Sequence, residues 1–201
     1  MLLALDTSSD YVSIALFQDQ QLLAHVHQPM TSGQAETIFT LLQKLLKKIK
    51  FSPKDISSVA VAVGPGSFTG VRIGLATARA FALALNIPVI GITNFDIAAY
   101  NTKKPVKVVL NTKRGDFFVQ DFDKRGKVLN QPSIKTDTQL ATDLPFTAVG
   151  SGAPLLAQKI ACAYISSEMP EAVALGYVAL TQPKKHLPAV PLYLREADVT
   201  I

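Results

Sequence analysis

The chain has 201 residues, 48% of them hydrophobic and 17% charged, which is enough apolar material for a real core and too little charge for a disordered protein. Its formal charge of +5 draws it toward polyanions in general without naming one. Cys162 is the only cysteine, which excludes an internal disulfide and a cysteine-based zinc site and fits a reducing cytoplasm.

The opening Met1-Leu2-Leu3-Ala4-Leu5-Asp6 lacks a basic leader and reaches an acid at once, so it reads as structure rather than as a secretory signal. A short apolar run ends in Asp6-Thr7-Ser8-Ser9-Asp10, whose short polar side chains bond their own backbone in turns. Residues 11–17 and 22–27 are β-rich and closely connected, which predicts an antiparallel three-strand meander. After the breakers at 29–33, Ile38, Leu41, Leu42, Leu45, Leu46 and Ile49 recur at the spacing of one helical face. Lys44, Lys47, Lys48 and Lys50 largely avoid that stripe and suit the negative end of the helix dipole. Residues 59–63 predict a buried strand, 71–85 a second helix, 89–92 a strand and 94–100 a short helix. The polar break at 101–105 is read as a boundary between domains 1–100 and 101–201, with the final segment able to pack back on the first. Beyond it, residues 106–110, 116–122 and 127–131 predict strands, weak helical patterns follow, and residues 189–194 have strand character. The most apolar stretch, 76–92, is broken by Arg79, Asn86 and Pro88, so no membrane span is expected.

Between the strand at 59–63 and the next helix lies Gly64-Pro65-Gly66-Ser67-Phe68-Thr69-Gly70. Unpaired N–H groups at a helix start suit an anion. A P-loop fails because no lysine follows the last glycine, and the dinucleotide fingerprint fails on glycine spacing and on the missing downstream acid. Two readings stand: a nucleotide or anion loop formed by Asp6, Thr7, Ser8, Gly64, Gly66, Ser67, Thr69 and Gly70, or a tight turn capped by Ser67 or Thr69. The helix beyond it carries small residues at Gly70, Gly74, Ala78 and Ala82, with a second ridge at Ala76, Ala80 and Ala84. Such ridges permit close approach by a partner subunit or by the protein's own sheet. His25 and His27 share a strand face but lack a third metal ligand nearby, His186 sits in a polar run, and no nucleophile–base motif is present.

Leu3-Ala4-Leu5-Asp6-Thr7-Ser8 and Gly64-Pro65-Gly66-Ser67-Phe68-Thr69-Gly70-Val71-Arg72-Ile73-Gly74 together resemble the TsaB (YeaZ) family. Asn111-Thr112-Lys113-Arg114-Gly115-Asp116, Gly150-Ser151-Gly152 and Pro191-Leu192-Tyr193-Leu194-Arg195 extend the likeness. The resemblance implies an α/β protein of the actin-like, sugar-kinase and Hsp70 ATPase (ASKHA) fold, with two lobes of mixed sheet flanked by helices. It also implies a noncatalytic cytoplasmic scaffold that pairs with TsaD, works with TsaE, and supports threonylcarbamoyl transfer to the adenosine next to the anticodon of tRNA. A homodimer is implied when TsaD is absent, and tRNA is reached through the complex. No cofactor is required by this subunit; ATP and a metal are expected on its partners. TsaD-type relatives hold a metal on an H-x-x-x-H helix, whereas residues 32–38 here contain no histidine. Gln34-Ala35-Glu36 stands where many relatives have His-Ser-Glu, and Asn111 where they have aspartate. The implied interface residues are Ile38, Leu42, Leu45, Gly74, Ala78 and Ala82. The alternative from Asp6 and the glycine loop is a nucleotide-dependent small-molecule kinase or ATPase of the same superfamily.

Overall fold

The computed structural model describes residues 1–167 and 169–195. They form two compact units, one of Met1–Ile97 with Met169–Leu192 and the other of residues 98–167 with 193–195. The first contains β1 (Leu2–Asp6), β2 (Tyr11–Gln18), β3 (Gln21–Pro29), α1 (Gln34–Ile49), β4 (Ser58–Ala62), α2 (Phe68–Leu85) and β5 (Val89–Ile92). The division falls within α3 (Asn94–Ala99), a few residues before the expected break at 101–105.

The first sheet runs β3-β2-β1-β4-β5, antiparallel through β3, β2 and β1 and parallel through β1, β4 and β5. Side chains of a strand alternate between faces, so β2 serves two layers. Val12, Ile14 and Leu16 join Leu3, Leu5, Val59 and Val61 in a core closed by the apolar stripes of α1 and α2. On the opposite face Ser13 accepts the backbone N–H of Ala172, and the ring of Phe17 fills the space that a side chain at Gly176 would need. Both contacts belong to α6 (Glu171–Thr181), which packs on β1 and β2. That helix is apolar on nearly every side and is stable only when covered. The segment therefore joins the first unit.

The second unit contains β6 (Val106–Asn111), β7 (Asp116–Phe122), β8 (Ser133–Thr136), α4 (Asp137–Ala141), β9 (Thr147–Val149), α5 (Ala153–Lys159) and β10 (Ala163–Ile165). Its sheet order, β8-β7-β6-β9-β10, repeats that of the first unit, with β7 antiparallel and β9 parallel to the central β6. Two βββαβα arrangements of this kind make the actin-like, sugar-kinase fold.

Three expectations need correction. Residues 127–131 make only a single bridge, Val128 to Phe122, and the third strand is instead Ser133–Thr136. Residues 189–194 form no strand: Pro188 and Pro191 lack N–H donors, and the segment is held by isolated bonds such as Leu192 N–H to Val63 O. Finally, α2 begins at Phe68 rather than at 71, and over that length it is apolar enough to cross a membrane despite Arg72 and Arg79. In the fold its Gly70, Val71, Gly74, Leu75 and Ala78 are buried, several of them in the core over β4.

Candidate functional site

Asp6 ends the central strand and is 1% exposed. One carboxylate oxygen accepts the Ser8 N–H at 2.8 Å and the other accepts the Tyr11 hydroxyl at 3.0 Å. The first bond is the Asx turn expected of Asp-x-Ser, and the second arises because the hairpin returns Tyr11 beside the strand end. Burial pushes the Asp6 carboxyl up, against the opposing pull of the Ser8 and Tyr11 hydrogen bonds. Tyr11 is pushed well above the ordinary tyrosine range, by burial first and then by the charges of Asp6 and Glu171.

The glycine loop packs directly on this turn. Gly64 has φ +101°, a left-handed conformation that favours glycine, and the Gly64–Pro65 bond is cis. Ser67 caps α2 by accepting the Gly70 N–H at 3.2 Å, and its own N–H is donated to Ser8 O at 2.7 Å. A Cβ at Gly66 would overlap the carbonyl oxygen of Ser8, and one at Gly70 that of Thr7. The Thr7 hydroxyl donates to Gly70 O at 2.7 Å. Asn94 completes the seam, donating to the Ser8 hydroxyl and to Pro65 O. Among Asp6, Thr7, Ser8, Gly64, Gly66, Ser67, Thr69 and Gly70, the glycines thus serve close approach of the chain to itself. A metal–nucleotide reaching Asp6 has to displace Tyr11 or open this seam, so the residues as arranged do not fit one.

Beyond Tyr11 the polar cluster continues into residues with no motif in the sequence. The Tyr11 and His27 rings lie 4.8 Å apart, and His27 Nδ1 lies 3.1 Å from Glu171 Oε2 at the start of α6. Burial first, and then the charge of Asp6, raises the Glu171 carboxyl to about 7. Desolvation is also the leading effect on His27 and lowers it from the usual histidine value. Tyr11 was findable from the meander; Glu171 was not, because only the packing of α6 on the first sheet brings it near. His25 shares the exposed face of β3 with His27, and the described residues contain no cluster of three metal-binding side chains. Gln34 donates to Ser9 O at 3.0 Å, so it fastens α1 to the turn after β1. At the equivalent strand end of the second unit, Asn111 Oδ1 accepts the Lys113 N–H, and the Asn111 N–H is donated to the Ser151 hydroxyl.

The proposed interface residues need correction. Ile38, Leu42, Leu45 and Ala78 belong to the core, and Gly74 faces Thr7 and Val61 of its own sheet. Ala82 is half-buried. Periodicity identifies the small-residue stripe, but the stripe faces inward because the strand end needs that room. The outward ridge of α2 is the other one: Ala76, Ala80, Leu83 and Ala84, with Leu83 87% exposed. Beside it Phe39 of α1 is 48% exposed and stacks on Phe81 at 6.1 Å.

The family model described as TsaD, tRNA N6-adenosine threonylcarbamoyltransferase, matches residues 30–190. The tRNA threonylcarbamoyladenosine biosynthesis protein TsaB of Buchnera aphidicola is 30% identical over 134 residues, which are 64% of this chain and 63% of that protein. The Bacillus subtilis protein of the same name is 28% identical over 143 residues, 70% of this chain and 62% of its own. The matched stretch thus spans less than two thirds of either relative. YeaZ from Pseudomonas aeruginosa superposes with a TM-score of 0.79 at 19% identity, covering 96% of this chain and 99% of that one. The match over 30–190 places the chain in the TsaD-type family, and its relatives place it with the TsaB (YeaZ) proteins.

Proposed function

We propose that this chain is a noncatalytic scaffold in tRNA threonylcarbamoyladenosine biosynthesis, acting in the cytoplasm. It pairs with TsaD and supports threonylcarbamoyl transfer to the adenosine next to the anticodon. TsaE completes the assembly, ATP and metal are held by partner subunits, and a second copy occupies the pairing surface when TsaD is absent. The observation that carries this reading is the outward ridge Ala76, Ala80, Leu83 and Ala84 beside Phe39. Small side chains there let a facing helix approach closely, and burying Leu83 and Phe39 removes apolar surface from water. The TsaB names of its relatives supply the reaction context. The closed seam around Asp6 supports locating the chemistry on a neighbour.

The test is co-purification with TsaD after Ala80→Glu and Leu83→Glu are combined. Capture is expected to fall at least about tenfold while the melting temperature stays put, because both positions are on the surface. Undiminished capture removes the ridge from the interface. Threonylcarbamoyl transfer by the purified chain alone overturns the scaffold reading.

A further inference from the structure

The described residues of the second unit, 98–167 and 193–195, carry eleven lysines and arginines and five aspartates. Four of the five aspartates are engaged by cations: Asp116 by Arg195, Asp121 by Lys107, Asp137 by Lys159, and Asp143 by Lys107 and Lys135. The fifth, Asp123, turns its carboxylate into its own hairpin and accepts the N–H groups of Arg125 and Lys127 at 2.7 and 2.9 Å. Those bonds hold its carboxyl below the usual range and close the turn, with Gly126 N–H donating to Asp123 O.

Topology brings five of the other seven cations together. In the β6/β7 pair Val106 faces Phe122, so the segment entering β6 and the hairpin leaving β7 lie at the same end of the sheet. Lys103 and Lys104 are on the first, Lys124, Arg125 and Lys127 on the second, and all five are exposed. Neighbouring strands are only about 5 Å apart, so like charges are crowded at this end with Asp123 already committed to the turn. Such crowding costs stability and is relieved by a polyanion.

We propose that this basic end of the second sheet binds the phosphate backbone of tRNA directly. The proposal rests on the reading that the chain works in tRNA modification, and adds that this subunit itself touches the RNA. Lysine is depleted at protein–protein interfaces, whereas flexible exposed lysines suit phosphates, which they contact without reading sequence. That favours RNA over an acidic protein.

The test measures binding of transcribed tRNA to the full chain by fluorescence anisotropy between 50 and 200 mM KCl. Replacing Lys103, Lys104, Lys124, Arg125 and Lys127 by glutamine is expected to weaken binding at least about tenfold and to flatten the salt dependence by about 2 to 4 in log–log slope. A control neutralises Lys44, Lys47, Lys48, Lys50 and Lys54 on the first unit, which removes the same charge. Equal loss in that control overturns the proposal, because net charge alone then explains the binding. Unchanged affinity and slope in the first variant overturn it too, as does competition by poly-glutamate matching that of RNA. TsaD capture is measured in parallel: loss of RNA binding with capture intact supports the proposal. Capture failing in the wild-type chain, with hairpin-dependent RNA binding retained, refutes the scaffold reading and leaves the RNA contact standing.

Discussion

His27 Nδ1 lies 3.1 Å from Glu171 Oε2, and this contact ties the third strand to the first turn of a helix that lies far along the chain. The groups around it are Asp6, Tyr11 and His25. With Glu171 raised to about 7 and His27 lowered, there is a range below neutrality in which both are uncharged. The folded state binds more protons at Glu171 than the unfolded chain between about 4.5 and 7. Stability contributed by this group is therefore present below 4.5 and is lost as pH rises through 7. His27 works in the opposite sense: its contribution is present above its unfolded value of 6.5 and is lost as pH falls through its lowered folded value. Urea titrations across pH 4.5 to 8 are expected to show the Glu171→Gln protein gaining on the wild type as pH rises. Parallel pH profiles would remove the carboxyl from this role.

The seam between Thr7 and the glycine loop predicts a second result. Gly70→Ala forces a Cβ into the carbonyl oxygen of Thr7, which is backbone and cannot swing aside. A loss of about 3 kcal/mol or outright misfolding is expected in urea denaturation. Gly115→Ala has open space around it but a φ of +87°, so its cost is conformational and about 1 kcal/mol. Comparable costs at the two sites would mean that the loop yields more readily than its packing implies.

The same seam bears on the alternative reading as a kinase or ATPase. Asp6 is buried beneath Tyr11 with both oxygens engaged, so isothermal calorimetry with magnesium and ATP is expected to give no binding heat. Tight binding that disappears in Asp6→Ala would restore the alternative. Tyr11→Phe is expected to cost about 1 to 3 kcal/mol by leaving a buried carboxylate oxygen short of its donor.

How much of this was legible depends on whether a signal was local. The heptad-like spacing of Ile38, Leu42 and Leu45 marked α1, and the β-rich run at Asp116–Phe122 marked β7 with its observed bounds. Val128 and Leu129 misled because they are apolar yet exposed in a hairpin return. The Gly70, Gly74 and Ala78 stripe was visible, but periodicity states only that one side of a helix is small, not which neighbour uses it. The Asp6, Tyr11, His27 and Glu171 cluster was half legible. Asp6 ended a strand among hydroxyls, while Glu171 joined only through long-range packing.

The orientation of α1 and α2 separates core from surface by mutation. Leu45→Ala removes a core side chain and is expected to cost about 2 to 4 kcal/mol in urea denaturation. Leu83→Ala, at a position 87% exposed, should stay within about 0.5 kcal/mol. A large folding cost at Leu83 would mean that the ridge is covered within the chain, and the pairing surface would have to lie elsewhere.

In the second unit Lys107 is buried, with its ammonium 2.7 Å from Asp121 and 3.4 Å from Asp143. Each aspartate has another donor: the Asn130 amide for Asp121 and Lys135 for Asp143. Lys107→Met therefore leaves neither carboxylate wholly without a partner, and the expected loss is about 1 to 2 kcal/mol, below that for breaking an isolated buried pair. Adding Asp121→Asn should restore much of it, because the charge left behind is then removed. That recovery is the coupling that a double-mutant cycle measures. Additive losses in the double variant would show that Lys107 contributes through its packed methylene stem rather than through its charge.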